Sequence, residues 1–335
     1  MAACQPRATV VVPPAPRGSE PVPAAEIIGC IDLPRDDPRS HDLSGLAWDP
    51  LERRLFALSD FQRTLTVLVP RPGFTGVDLA PSITLDIPIE NWDGEALALA
   101  DDRFLVVANE TVGAVFSVGR DGHGAVRVDL AVPRGIRNNA GLEGLGYIAA
   151  PDGRYLFITN EQALQGDGAI STASHGTVVR IRRHSLDGRG DREVAYLTDP
   201  VFGGDDGDNG VSDIAVLSAD RVLVLERAFV YGLGNATRIY EVDLRGAADV
   251  AGLPDARAVA PVAKRLVLDL AVMPDAGCSL PPAPQRRRSL DNYEGLAIGP
   301  TLDDGRSLIF LVNDDNHHKT QVPRLLAIAF DPGVL

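Results

Sequence analysis

The sequence predicts an all-β protein, a five-bladed β-propeller whose last blade is closed by the N-terminal strand, with six blades as the alternative count. Three observations lead there. A short phrase recurs five times along the 335 residues, each copy opens a hairpin pattern, and a strand near the N-terminus supplies what the last repeat lacks.

The five copies are LSGLAWDPLERRLFALSD (43–60), GEALALADDRFLVVANE (94–110), LEGLGYIAAPDGRYLFITNE (142–161), VSDIAVLSADRVLVLER (211–227) and YEGLAIGPTLDDGRSLIFLVNDD (293–315). Each has an alternating apolar run, then an acidic turn closing on an arginine (Arg54, Arg103, Arg154, Arg221, Arg306). A second apolar run follows and ends in Asp, Asn or Glu. Period-two alternation with turn chemistry between is the pattern of a hairpin.

Further strand candidates complete each unit. RTLTVLV and SITLDI follow the first hairpin, GAVFSVG and AVRVDLAV the second, GTVVRIRR and EVAYLTD the third, TRIYEVDL and KRLVLDL the fourth. After the fifth only RLLAIAF (324–330) remains, and EIIGCIDL (26–33) is the missing partner. Insertions at about 162–176, 200–210 and 271–291 make the spacing uneven. A sixth blade would need a hairpin near 250–290, where the chain instead reads GCSLPPAPQRRRSLD. Residues 1–24 form a Pro-rich spacer, and 25–335 a single propeller domain.

A net charge of −14, with Lys only at 264 and 319, leaves no basic stripe for a phosphate backbone and argues against nucleic-acid binding. It is compatible with cation binding. No run approaches the ~20 apolar residues of a membrane span. The start MAACQPRATVVVPPAPRGSEPVP fits either the mature start of a bacterial lipoprotein anchored at Cys4 or an ordinary unstructured terminus. The expected location is periplasmic or secreted, with a lipid anchor at Cys4 in the first case. Cys30 and Cys278 could pair in an oxidising compartment, tying the first strand to the last loop. A monomer is expected.

In a propeller the first strand of each blade lines the central channel. Ser44, Glu95, Glu143, Ser212 and Glu294 occupy the same place in all five repeats, so they should converge on the axis. Three carboxylates meeting there repel unless a cation cancels their charge. Ca²⁺ suits a flexible ring of carboxylates, hydroxyls and waters better than Mg²⁺ does. The plain alternative is that these residues open strands and cap backbone groups. At the same edge, the ends of the second strands should surround the mouth: Asp60, Asn109, Glu110, Asn160, Glu161, Glu226, Arg227, Asn313 and Asp314.

The phrases LSGLAWD, DGEALAL, LEGLGY, VSDIAVL and NYEGLAI, with the late VNDDNHHKTQ, together resemble the bacterial phytase-like domain, the family described as esterase-like activity of phytase. The resemblance runs from about 40 to 330 and implies a β-propeller that hydrolyses phosphate esters. The order Ser, Glu, Glu, Ser, Glu is also similar to the calcium-activated nucleotidases (apyrases), five-bladed propellers with Ca²⁺ in the central tunnel. That likeness implies the ligands Ser44, Glu95, Glu143, Ser212 and Glu294, and it does not extend beyond the ring. No Lys-rich phosphate site is present, so phytate itself is not implied.

For catalysis the expected parts are Glu161 or Asp314 as general base, Arg227 as a bidentate fork for an anionic small-molecule substrate, and His317, beside His318, as acid or base. The Gly-rich segment 161–176 is long enough to cover the mouth. Trp48 and Trp92 are expected to pack between blades. No nucleophile elbow, P-loop or dinucleotide fingerprint is present. Three functions stay open: a metal-dependent phosphoesterase, a lactone hydrolase, or a non-catalytic calcium-stabilised propeller that binds a partner or an envelope component.

Overall fold

The structure, a computed structural model, describes residues 24–110 and 112–335. It is built of five four-stranded antiparallel sheets. The chain enters through β1 (Ala25–Asp32), which belongs to the fifth blade. Blade 1 is β2 (Leu43–Asp49), β3 (Arg54–Ser59), β4 (Thr64–Pro70) and β5 (Val77–Thr84). Blade 2 is β6 (Ala96–Ala100), β7 (Arg103–Asn109), β8 (Ala114–Gly119) and β9 (Val126–Arg127). Blade 3 is β10 (Leu142–Ala150), β11 (Gly153–Asn160), β12 (Val178–Ser185) and β13 (Arg192–Leu197). Blade 4 is β14 (Gly207–Ser218), β15 (Arg221–Val230), β16 (Gly234–Asp243) and β17 (Lys264–Asp269). Blade 5 is β18 (Tyr293–Thr301), β19 (Ser307–Asn313) and β20 (Arg324–Phe330), with β1 on its outer edge. The first strands β2, β6, β10, β14 and β18 touch one another in cyclic order and so close the ring around an axis.

Period-two alternation feeds two cores from each strand. On β3, Leu55 and Ala57 pack toward blade 5, while Phe56 and Leu58 pack toward blade 2. The same division recurs at every junction, giving five interblade cores. Phe56 meets Phe104 edge-on at 4.8 Å between blades 1 and 2. Trp48 lies 5.5 Å from Phe310 between blades 1 and 5, and Trp92 packs at the blade 1–2 junction with its indole N–H on the Ser59 carbonyl. Two outer strands differ from the sequence expectation. The SITLDI stretch leaves β5 after Thr84, and Leu85 and Ile87 turn into the core instead. In blade 2 the outer strand is only Val126–Arg127, with Val128 N–H still on Val115 O (2.9 Å) before Leu130 N–H bonds back to Val128 O in a tight turn.

Closure is secured several times over. β1 pairs with β20 from Ala25↔Phe330 to Asp32↔Arg324. Cys30 on β1 is disulfide-bonded to Cys278, with Cα atoms 5.3 Å apart across a sequence separation of 248. Arg324 is fully buried; its Nε donates to Asp32 (2.7 Å) and its Nη2 to the Ser279 carbonyl (2.9 Å).

At Gly45 and Gly295 the inner strands approach so closely that there is no space for a side chain. A Cβ on Gly45 would lie 2.7 Å from Leu97 N, and one on Gly295 2.9 Å from Ser44 O. In blade 4 the equivalent position is Asp213, which is buried. Its carboxylate spans three blades, accepting N–H bonds from Ile214 (2.8 Å), Leu296 (2.7 Å) and Leu145 (3.4 Å).

Two tests follow from these contacts. Removing the disulfide by reduction or by Cys30→Ser should cost about 2–5 kcal/mol, read as a lower melting temperature with the β-sheet signal intact; coincident melts would mean strand pairing alone closes the ring. Asp213→Ala strands buried N–H groups at roughly 1–3 kcal/mol each, so it should destabilise far more than Asp213→Asn, which keeps an acceptor. Equal melting temperatures for the two variants would refute this role.

Candidate functional site

The five predicted ring residues do occupy equivalent positions. In four blades the pairing of the first two strands skips one residue, and the skipped residue is Ser44, Glu143, Ser212 or Glu294. Each therefore sits at a β-bulge, which re-aims its side chain out of the ladder. Glu95 stands just before β6, its N–H on Val107 O at 3.1 Å. Burial pushes the carboxyls of Glu95 and Glu143 well above the ordinary range, and neighbouring carboxylates push them further: Glu294 acts on both, and Glu95 adds to Glu143. Glu294 is raised by burial and held back by Arg227. Ser212 Oγ donates to Tyr293 O at 3.1 Å. Ser44 is buried, and its hydroxyl lies beside the Glu294 carboxylate and favours that group's charged form.

A second row comes from the ends of the second strands, where alternation divides the residues expected at the mouth. Asp60, Glu110, Glu161, Arg227 and Asp314 join the charges around the axis. The residues one place earlier turn into their own blades. Asn109 Nδ2 donates to Asn91 O (3.0 Å), Asn160 Oδ1 accepts from Arg180 N (3.2 Å), and Asn313 Nδ2 donates to Val322 O (2.9 Å). Glu226 pairs with Lys264 Nζ at 2.6 Å and with Tyr196. Asn109, Asn160, Asn313 and Glu226 are thus removed from the mouth, because successive strand residues face opposite sides.

Burial, then Glu294 and Asp42, raises the Asp60 carboxyl to about 7. Burial likewise lifts Glu161 to about 7 against the pull of Arg227. Asp314 is pushed well above the usual range by burial, Glu294 and Asp60. Arg227 Nη2 lies 3.3 Å from both Glu161 and Glu294, and Nη1 lies 3.5 Å from Asp208. Burial opposes its charge, but these carboxylates outweigh that and raise its pKa; its Nε has no partner among the described residues.

The sequence reading placed Asp314 at the mouth but missed its rim partners Asp42 and Asp315. Oxygens of Asp42, Asp314 and Asp315, all buried, lie within 4.8 Å of one another. The ring glutamates are not gathered so tightly. Asp42 N–H donates to Asp315 Oδ1 at 3.1 Å, and His41 Nδ1 lies 2.7 Å from Asp315 Oδ2. His317 is exposed, with its ring 4.4 Å from that of His41 and Nδ1 3.4 Å from Asp42. His318 folds onto Thr320 Oγ1 in its own loop. The available signals were Asp42 two residues before Ser44 and the doubled acid in NDDN.

The segment 162–176 is not poised as a cover. Asp167 is buried and bonded to Arg180 and to Ala256 N–H, while Gln162 and Ser171 both donate to Asn209 O. These bonds carry the segment outward along blades 3 and 4, so it forms a fixed wall. Below the ring, Leu46, Leu97, Leu145, Ile214 and Leu296 are each 1–2 % exposed. They line a cavity of about 130 Å³ that none of the ring or rim residues lines, so an apolar floor separates the two ends of the axis.

The mouth therefore gathers carboxylates from all five blades around one arginine, Asp208 being that of blade 4, with the hydroxyl of Ser44 buried among them. An all-oxygen donor set of that kind fits a hard cation.

No curated protein matches the chain. Among solved structures it is similar to a chain of the nidogen/laminin complex (11% identity, 88% of this chain and 87% of that chain covered, TM-score 0.41). It is also similar to the tail fibre of Staphylococcus aureus phage P68 (11%, 93% and 53%, TM-score 0.48) and to a luciferin-regenerating enzyme (13%, 93% and 96%, TM-score 0.38). The model of the phytase-like family, described as esterase-like activity of phytase, matches residues 39–317, a span that holds every ring and rim residue named above, and the chain belongs to that family.

Proposed function

We propose that the protein is a calcium-dependent phosphoesterase whose cation sits at the acidic mouth of the propeller. The observation that carries this reading is the crowding of buried carboxylates around Arg227, whose burial and mutual repulsion raise their pKa values. Ser44, Glu95, Glu143, Ser212 and Glu294 would hold a cation at the ring, and Asp42, Asp314 and Asp315 at the rim. When bound, the cation supplies Lewis-acid polarisation of an ester phosphoryl group. The chain's own residues do the rest. Arg227, its Nη atoms set between Glu161, Glu294 and Asp208, supplies the positive charge that an anionic ester would meet at the mouth, and Glu161, titrating near neutrality, can take or return a proton. His317 stands exposed over the rim, where it can serve a leaving group. The apolar floor keeps the site open at one end only.

A cation that merely braces the blades is favoured by one observation, the enclosure of the acids; Glu161 and Glu294 are only 10 % and 12 % exposed. The disulfide supports an extracytoplasmic location, periplasmic or secreted. The expected anchor Cys4 lies outside the described residues. Among the described residues no helix is long and apolar enough to cross a membrane.

Assay of an aryl phosphate with Ca²⁺ and with chelator should show turnover that needs Ca²⁺ and falls at least about 100-fold in Glu294→Gln. A Ca²⁺-dependent melting shift without turnover on a panel of phosphate esters would favour the bracing role. The acid pKa values add a pH signature. In the chelated protein Asp60 and Glu161 bind protons up to about pH 7, whereas in the unfolded chain they lose them near pH 4. The folded state then holds more protons, so stability falls as pH rises from about 4 to 7 and stays low above that. Chelated protein should melt lower at pH 8 than at pH 5.5, and Ca²⁺ should raise the melting temperature more at pH 8. The opposite order would contradict a carboxylate cation site.

A further inference from the structure

We infer that His41 is a positioning residue for the rim: it holds Asp315 in the orientation in which the Asp42, Asp314 and Asp315 oxygens can share one cation. The inference rests on the cation reading of the mouth given above. His41 is fixed at both ring nitrogens. Nε2 lies 3.0 Å from the Arg35 carbonyl oxygen, which can only accept, so Nε2 carries a proton. Nδ1 then shares a second proton with Asp315 Oδ2 at 2.7 Å. The other oxygen of Asp315 takes the N–H of Asp42 at 3.1 Å. Both oxygens of Asp315, a blade 5 residue, are thus tied to the segment that leads into blade 1. One lone pair on each is left for the space shared with Asp42 and Asp314.

His41 and Asp315 are also enclosed, at 11 % and 2 % side-chain exposure, with the His317 ring tilted against that of His41 at 4.4 Å. A carboxylate that must stay beside two others needs such a tether, since repulsion would otherwise turn it away. Partners of this kind, one bond removed from the ion, typically change metal affinity about 10–100-fold when deleted. His184, near the end of β12, and Asp191, in the turn before β13, form a similar pair in blade 3 whose hydrogen bonds reach no ring or rim residue, and they provide the control.

The test is calorimetric titration of the full chain with Ca²⁺ alone, with chelated melts of every variant to confirm folding. Wild type and Asp314→Asn come first; binding that Asp314→Asn abolishes belongs to the rim. His41→Ala is then expected to weaken it about 10–100-fold. His41→Asn places an amide N–H where Nδ1 stood, restoring the Asp315 bond without the Arg35 tether, and should recover most of the loss. His184→Ala should bind as wild type does. His41→Ala binding as tightly as wild type overturns the inference, and so does His41→Asn binding no better than His41→Ala. Wild type that binds no Ca²⁺, or binds it unaffected by Asp314→Asn, overturns the rim as a cation site and the inference with it.

Discussion

Repulsion between like charges on a single axis is the constraint around which the molecule is organised. Repeating one strand-opening motif five times places equivalent side chains at one point, whatever their charge, and here three of the five are glutamates. The second strands add Asp60, Glu110, Glu161 and Asp314 at the same height, with Arg227 as their internal counter-charge. The chain tolerates this because the scaffold beneath is rigid. Bulges aim the side chains, glycines let the inner strands close up, and Asp213 binds the backbone of three blades. Below the ring the side chains of Leu46, Leu97, Leu145, Ile214 and Leu296 form an apolar layer that offers the acids no polar partner. Two remedies are left to the acids, protonation or a cation. Their raised pKa values describe the first; the all-oxygen donor set, with the buried Ser44 hydroxyl among the carboxylates, suits the second.

Blade architecture was legible because it is local. Each hairpin shows in its own alternation, and the five copies reinforce one another. Closure by EIIGCIDL could be read as well, since one strand was missing at one terminus and one spare stood at the other. The ring positions followed from the repeat alone, without knowledge of the bulges that aim them.

What escaped the sequence is relational. His41 and Asp42 meet Asp314 and Asp315 only because blades 1 and 5 are neighbours across the seam, and no spacing rule encodes that contact. Asp213 looked like a strand residue beside Ser212, yet it fills a place that glycine holds in three other blades. Which member of each strand-end pair faces the axis depends on the phase of the strand relative to its bulge. Asn160 and Glu226 were therefore grouped with Glu161 and Arg227, although they point into the blades. The segment 162–176 misled for another reason. Its glycines suggested freedom, but the buried Asp167–Arg180 pair removes it.

The shared fifth blade also sets an order of assembly. Blades 1 to 4 are built from contiguous chain, so each can gather its strands as they become available. Blade 5 needs β1 from one end and β18 to β20 from the other, and contacts of such long separation are slow to form. Asp314 and Asp315 belong to that blade, as do Glu294 and the loop carrying Cys278. Until the two ends meet, the rim has one aspartate of its three and the ring lacks its fifth member. Completion of the acidic mouth and circularisation of the chain are therefore the same late event, and a chain that has not yet added its last blade cannot present the site.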